Sequence, residues 1–397
     1  MDTNILGQVA LSYCPIIDRA RNVMATRLTV FSLVPGEDPP AAAFVQAVDE
    51  VWPADGASVV LSVRSESLLA SLLGMKLQPQ IMLEVPHFMA ADPAHSADIL
   101  ALASAGNTLL LSGRPARPLP PDLVSCFKYS IVDVADERRQ GEPPDDARRK
   151  VGFMQDGVSS VAEMELAFKR GAVAVIGWPI DEVAEKPKFS QRGAGSRPDL
   201  STTVQLINLV DREEPLDKLE TALKRDPALA YKLLRYINSP LFGLRVEVNS
   251  FSHAVMLLGY QRLKRWLALL LITASNEPNL RPVMFAAVRR GLLMEALMPE
   301  ADEAVRGELF ICGVFSLLDR MFQQHFSELI KVVPVPEAVS LALVDDTGPY
   351  AHMLHLLRSL EGGAGLTVQD AAEAAMLDMR AVNRALLHAL AGAVQLS

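Results

Sequence analysis

Residues 226–259 read DPALAYKLLRYINSPLFGLRVEVNSFSHAVMLLG and form the densest run of structural signals in the chain. Asp226-Pro227 starts a helix. The Asp carboxylate accepts from the free N–H groups of the first turn, and Pro fits there because its missing N–H costs nothing. Leu229, Leu233, Leu234 and Ile237 then share one helical face. Asn238-Ser239-Pro240 ends that helix, because the residue before a proline is pushed out of the helical region. Phe242-Gly243 continues the turn. Ser250 can cap a second helix, with Phe251, Ala254, Val255 and Leu258 at its apolar positions, and Gly259 closes it as a left-handed cap. The stretch spells helix, tight turn, helix.

The words in that stretch, DPAL, KLL, NSPLFG and the later Ser, Ala-Val and Leu-Gly, closely resemble the core of the HDOD domain, a helical signalling module related to HD phosphohydrolases. Asp226, Pro227, Leu229, Leu233, Leu234, Asn238, Ser239, Gly243, Ser250, Ala254, Leu258 and Gly259 all fit that pattern in one register. The resemblance implies an all-helical module with a groove near residues 238–243, Phe242 included, where a partner binds. An HD hydrolase needs a His and an adjacent His-Asp pair for its metals. The chain has no His-Asp dipeptide, and His253 stands alone on its helix, as packed or surface histidines do.

The chain has 397 residues, enough for two domains of ordinary size. Half of them are hydrophobic and 21% are charged, so a globular chain with sizeable cores is expected. A formal net charge of −9 argues against a protein that coats nucleic acid. Lys224, Arg225, Lys232, Arg235, Arg245, Arg262, Lys264 and Arg265 make one region locally basic. No aromatic ladder or base-reading motif accompanies them, so they read as a solvated helical face. Cys14, Cys126 and Cys312 have neither metal-ligand spacing nor a disulfide framework, and a reducing cytoplasm is expected. No basic-then-apolar leader opens the sequence, and the longest apolar run, 266–274, is far short of a membrane span.

Upstream, short apolar runs alternate with amphipathic stretches. Strands are expected at 9–17, 28–33, 58–63, 80–85, 108–111, 129–134, 150–154 and 173–177, with helices at 41–51, 67–73, 96–105 and 160–170 between them. That alternation predicts a parallel sheet, and eight strands is the number that closes a β/α barrel.

The order of the words resembles an EAL domain, the barrel that hydrolyses cyclic di-GMP. Pro15-Ile16-Ile17-Asp18 is similar to its PIVD opening, GNTLLLSGRP (106–115) to its G…LALDDFG segment, and residues 153–160 and 172–179 to its LAEKVET and G…QGYxxxxP segments. The resemblance implies two divalent cations, held by carboxylates at the C-terminal ends of the strands, that activate a water and neutralise phosphate. Here the positions that would hold them have changed. Arg27 stands for the signature glutamate, Ser62 for the asparagine ligand and Ser112-Gly113 for the aspartate pair. Gln155 stands for the glutamate of the LAEKVET-like segment, and Ile176 for the glutamine before GY. Glu84 and Asp133 remain. Two carboxylates without partners make a poor two-metal site, and Arg27 would repel the cations, so no metal, cofactor or catalytic residue is assigned.

The expected organisation is α/β plus all-α. A degenerate EAL-like β/α barrel (1–181) is followed by a linker rich in charge, Gly, Ser and Pro (182–199). An HDOD helical domain with a C-terminal helical extension (200–397) completes the chain. Within the last part, FICGVFSLL (310–318) is a buried-helix pattern whose small residues permit close packing, EGGAG (361–365) breaks the chain, and 368–393 returns as helices closing the fold. The segment around it, with GVFSLLD and VPVP, resembles proteins that join a degenerate EAL domain to HDOD. The function this implies is a non-catalytic regulator or scaffold in motility, biofilm or stress signalling. It would act through protein partners, with the barrel as a docking or dimer surface. The alternative is a sensor that binds cyclic di-GMP or another nucleotide without hydrolysis.

Overall fold

The computed structural model describes residues 5–34, 36–52, 58–113, 119–135, 151–181, 201–215, 218–219, 221–222, 259–260, 263–264, 267–268, 278–331, 333 and 335–393. The chain divides into two compact units, Met1–Asp181 with His355–Ala391, and Glu182–Leu354 with Gly392–Ser397.

The first unit is built on a closed barrel of eight strands in sequence order, β1 to β8. These are Val9–Asp18, Val23–Ser32, Ser58–Val63, Ile81–Pro86, Leu109–Ser112, Phe127–Asp133, Gly152–Val158 and Ala174–Gly177. Every expected strand is present. Neighbours from β2 to β8 run parallel, but β1 is antiparallel to both β2 and β8. The all-parallel expectation fails there for a simple reason. Only residues 19–22 join β1 to β2, far too few for a crossover helix, so the chain must turn straight back. Asp18 closes that turn: its Oδ1 accepts from the N–H of Asn22 at 2.8 Å, and Arg21 takes a left-handed φ of 68°.

The wider gaps hold helices, Ala41–Asp49, Glu66–Leu73, Pro93–Ser104 and Val161–Lys169 among them. Their starts are written in the sequence. Ser65 and Ser160 accept from the N–H groups of Leu68 and Glu163, and Asp92 caps a helix with Pro93 in its first turn.

Strand periodicity sorts the barrel side chains into an inner and an outer set. Ile16, Ala25, Val60, Met82, Leu110, Ile131, Met154, Ala174 and Ile176 form one apolar plug. Phe153, Val175 and Ile17, of the opposite phase, pack with Met164, Ala167 and Phe168 of the outer helix Val161–Lys169. Two residues beyond the plug, towards the C-terminal ends of β2 to β7, the inward positions turn polar: Arg27, Ser62, Glu84, Ser112, Asp133 and Asp156.

The barrel unit is completed from the far end of the sequence. β1 pairs with β8 only over Ile16–Asp18, which leaves the first half of β1 without a strand on that side. The helices Gly365–Ala374 and Met379–Ala393 pack there. Asn383, fully buried, donates through Nδ2 to the carbonyls of Leu6 and Val9 at 2.7 Å each, and its Oδ1 accepts from the N–H of Leu11 at 3.2 Å. Gly365 lies so close to β2 that an added Cβ would stand 2.7 Å from that of Phe31.

The second unit is helical in its described residues. Helices Arg281–Ala296 and Glu303–Phe315 meet at Gly291 and Gly313, where a Cβ on Gly313 would stand 2.4 Å from the carbonyl oxygen of Arg290. The small residue inside FICGVFSLL therefore permits the close approach expected of it. Leu263 and Leu267 are fully buried, as the apolar run beyond Gly259 predicts. Gly259 itself has φ +70°, the left-handed conformation of the expected cap. The rest of the helix–turn–helix stretch, with Asp226, Pro227, Asn238, Ser239, Phe242, Gly243 and Ser250, lies outside the described residues, as do His253 and the linker. Among the described residues, no helix is long and apolar enough to cross a membrane.

Candidate functional site

The polar ring above the apolar plug is organised by Arg27. Its side chain lies inside the barrel at 6% exposure. Nη2 donates to Glu84 Oε1 at 2.7 Å and Nη1 to Asp156 Oδ2 at 2.6 Å. Ser62 Oγ, 3.4 Å from Nη2, completes the set. Burial works against the guanidinium charge, but Glu84 first and Asp156 second outweigh it and hold the Arg27 pKa above its ordinary value. Cys14, on β1 beside this group, also shifts upward, with burial as the main cause. Burial pushes its thiol up to about 12, Arg27 pulls it back only in part, and Asp156 and Glu84 add to the rise, so the neutral thiol is the form present near neutrality.

Of the positions singled out by sequence, the structure brings Arg27, Ser62 and Glu84 together. The carboxylate opposite Glu84 is Asp156, which the sequence reading passed over in favour of Gln155. Gln155 stands one residue out of phase, shares its side of the strand with Phe153, and spends its Nε2 on the carbonyl of Val132 at 2.7 Å. A register that follows the strand period of two, counted from Met154, selects Asp156. Ile176 belongs to the apolar plug. Asp133 is exposed at the end of β6, where its Oδ1 accepts from the N–H of Ala135 at 2.6 Å. Ser112 ends β5, and Gly113 turns the chain with φ +82°.

The divalent cations implied by the EAL resemblance do not fit this arrangement. A carboxylate that ligates a cation must offer it an oxygen in a site of matching charge. Here Glu84 and Asp156 each give an oxygen to a fixed positive group that cannot leave the barrel. Among the described residues, no group of three or more His, Cys, Asp or Glu is arranged to hold a metal ion.

Above the ring, at the C-terminal ends of the parallel strands, lies a cavity of about 320 Å³. Its wall includes Ser12, Arg27, Thr29, Arg64, Asp156 and Trp178, and residues 361–363 border it. The strap formed by those three residues is tied to the barrel through Glu361. Trp178 Nε1 donates to the carbonyl of Glu361 at 3.0 Å, and the Tyr13 hydroxyl donates to Glu361 Oε1 at 3.3 Å. The Tyr13 and Trp178 rings meet edge to face with centroids 5.5 Å apart.

The chain is similar to several known proteins. Residues 198–331 match the HDOD domain. Over 314 residues the chain is 24% identical to the uncharacterized protein YuxH of Bacillus subtilis, covering 75% of each chain. Over 232 residues it is 25% identical to the cyclic di-GMP phosphodiesterase CdgJ of Vibrio cholerae, covering 58% of this chain and 52% of CdgJ. Among solved structures, the PaMucR phosphodiesterase complex with c-di-GMP aligns at 16% identity and a TM-score of 0.33, over 43% of this chain and 94% of that one. The Klebsiella pneumoniae BlrP1 complex with calcium and cyclic di-GMP aligns at 16% identity and a TM-score of 0.32, over 44% and 55%.

Proposed function

We propose that this chain, an EAL-like barrel joined to an HDOD domain and homologous to YuxH and CdgJ, is a non-catalytic regulator in cyclic di-GMP signalling that works through protein contacts. One observation carries the reading: the Arg27 guanidinium sits between Glu84 and Asp156 inside the barrel. Phosphodiester hydrolysis by two metals needs carboxylates to hold cations that polarise phosphate and activate water. In this chain those carboxylates neutralise an arginine. CdgJ is a phosphodiesterase by name, so the argument for a silent barrel rests on this chain's own residues. The barrel would serve as a docking or dimer surface, and the HDOD groove near Asn238, Ser239, Phe242 and Gly243 would take the partner. Asn238→Ala and Phe242→Ala in the folded full chain should lose partners that the parent captures. Equal capture by both variants would remove the groove from the account.

The second reading, a sensor that holds cyclic di-GMP without cleaving it, draws on the relation to CdgJ and on the cavity at the barrel mouth. Titration of the full chain with cyclic di-GMP, with and without Mg²⁺ or Mn²⁺, separates the two readings. The regulator reading expects neither heat nor product, heat without product establishes a sensor, and product overturns the argument from Arg27.

A further inference from the structure

We propose that the barrel mouth is a binding site for a small organic monoanion, a carboxylate attached to an aromatic or apolar body, with Arg64 as its anchor. The inference goes beyond the regulator reading and stands or falls separately from it.

The cavity's volume, about 320 Å³, lies near the lower end of the range of small-molecule sites, roughly 300–1,000 Å³. It opens at the end of the barrel where the loops after the strands gather, the place at which barrels hold ligands. Its walls divide by chemistry. Phe31, Val158 and Trp178 supply an apolar and aromatic side, and the hydroxyls of Ser12 and Thr29 supply neutral polar groups.

Four charged residues line it: Arg27, Arg64, Asp156 and Glu361. Arg27 is committed, with both terminal nitrogens on carboxylates. Asp156 is committed too, one oxygen to Arg27 and the other to the N–H of Gly157 at 2.8 Å. Glu361 takes the Tyr13 hydroxyl. Arg64 is the exception. It follows β3 directly, its own N–H is held by the carbonyl of Val30 at 2.9 Å, and its guanidinium has no hydrogen bond or ion pair among the described residues. A guanidinium fork presented at the rim of a cavity with an aromatic wall matches a planar carboxylate, which it can engage with two parallel hydrogen bonds.

Charge decides the class further. One uncommitted cation faces a lining that also carries Asp156 and Glu361. A single negative charge is balanced by Arg64, whereas the second charge of a phosphate monoester would meet those carboxylates unpaired.

Calorimetry on the full chain tests this with 2-naphthoate as probe. Its neutral isostere 2-naphthamide, 2-naphthyl phosphate and cyclic di-GMP are titrated in parallel. The expected result is saturable binding of 2-naphthoate, weaker binding of the amide and of the aryl phosphate, and a loss of about tenfold or more in Arg64→Gln. Arg64 is exposed, so the variant should keep the parent's melting temperature, and Arg64→Lys should retain part of the affinity because it keeps the charge without the fork. Absence of saturable 2-naphthoate binding, equal affinity in Arg64→Gln, or tighter binding of the aryl phosphate would each overturn the proposal. Cyclic di-GMP binding alone would do the same while supporting the sensor reading.

Discussion

Arg27 carries its charge where burial would ordinarily forbid one, and it keeps it because Glu84 and Asp156 stand on either side. Such a group is weak evidence for stability as it stands, since desolvation offsets much of the attraction, but removing one member leaves the others uncompensated. Arg27→Met should therefore destabilise the barrel by about 3–5 kcal/mol, read as a shift in the denaturant midpoint. The combined replacement of Arg27→Met, Glu84→Gln and Asp156→Asn should recover most of that loss, because the three act as one network. If the triple variant is as unstable as the single one, the charge argument is wrong. At this scale the sequence was only partly legible. Arg27, Ser62 and Glu84 fall on inward positions of their strands, and the EAL resemblance points to them directly. Asp156 was hidden because the neighbouring glutamine offered a closer match in letters, while the strand period that excludes it becomes visible only once Met154 is known to face inward.

Among elements, β1 was legible as a strand and illegible in direction. Its apolar run, buried almost throughout, says nothing about polarity, and only the brevity of the 19–22 connection, read together with the final β2 boundary at Val23, turns it back on itself. Of the helices, Val161–Lys169 was readable from its Ser160 cap. Glu66–Leu73 and Pro93–Ser104 begin ahead of the expected starts, behind the caps Ser65 and Asp92, and Ala41–Asp49 starts with no side-chain cap. The sequence does not disclose that Met379–Ala393 supplies the side-chain partner for β1, because one asparagine on the buried face of an amphipathic helix carries no sign of what it will bond. Asn383→Leu would leave the Leu6 and Val9 carbonyls and the Leu11 N–H without that partner, and the bonds to Val9 and Leu11 are buried. A cost of roughly 3 kcal/mol or more follows, since each buried polar group left unpaired costs about 1–3 kcal/mol. Amide hydrogen exchange should show the Leu11 amide losing protection while the Gly291–Gly313 helix pair in the other unit keeps its own.

For the molecule as a whole, the two-part organisation and the eight strands follow from periodicity and composition. The grouping of His355–Ala391 with the barrel follows from neither. A chain ending at Leu354 should lose the cooperative unfolding transition of the barrel and the near-ultraviolet signal of the buried Trp52. Joining residues 355–391 behind residue 181 through a flexible linker should restore both. An unchanged transition in the truncated chain would mean that the strands suffice without their C-terminal cover.

The bond from Asn383 to Leu11 spans 372 residues of sequence, and this bears on how the protein is made. A ribosome adding about 5–20 residues per second releases Leu11 roughly 20–75 seconds before Asn383 is synthesised. Through that interval the uncovered half of β1 presents an open strand edge inside the cell. The nascent barrel is thus exposed to chaperones, or to wrong pairing with another chain, for as long as the ribosome takes to reach residues 365–393.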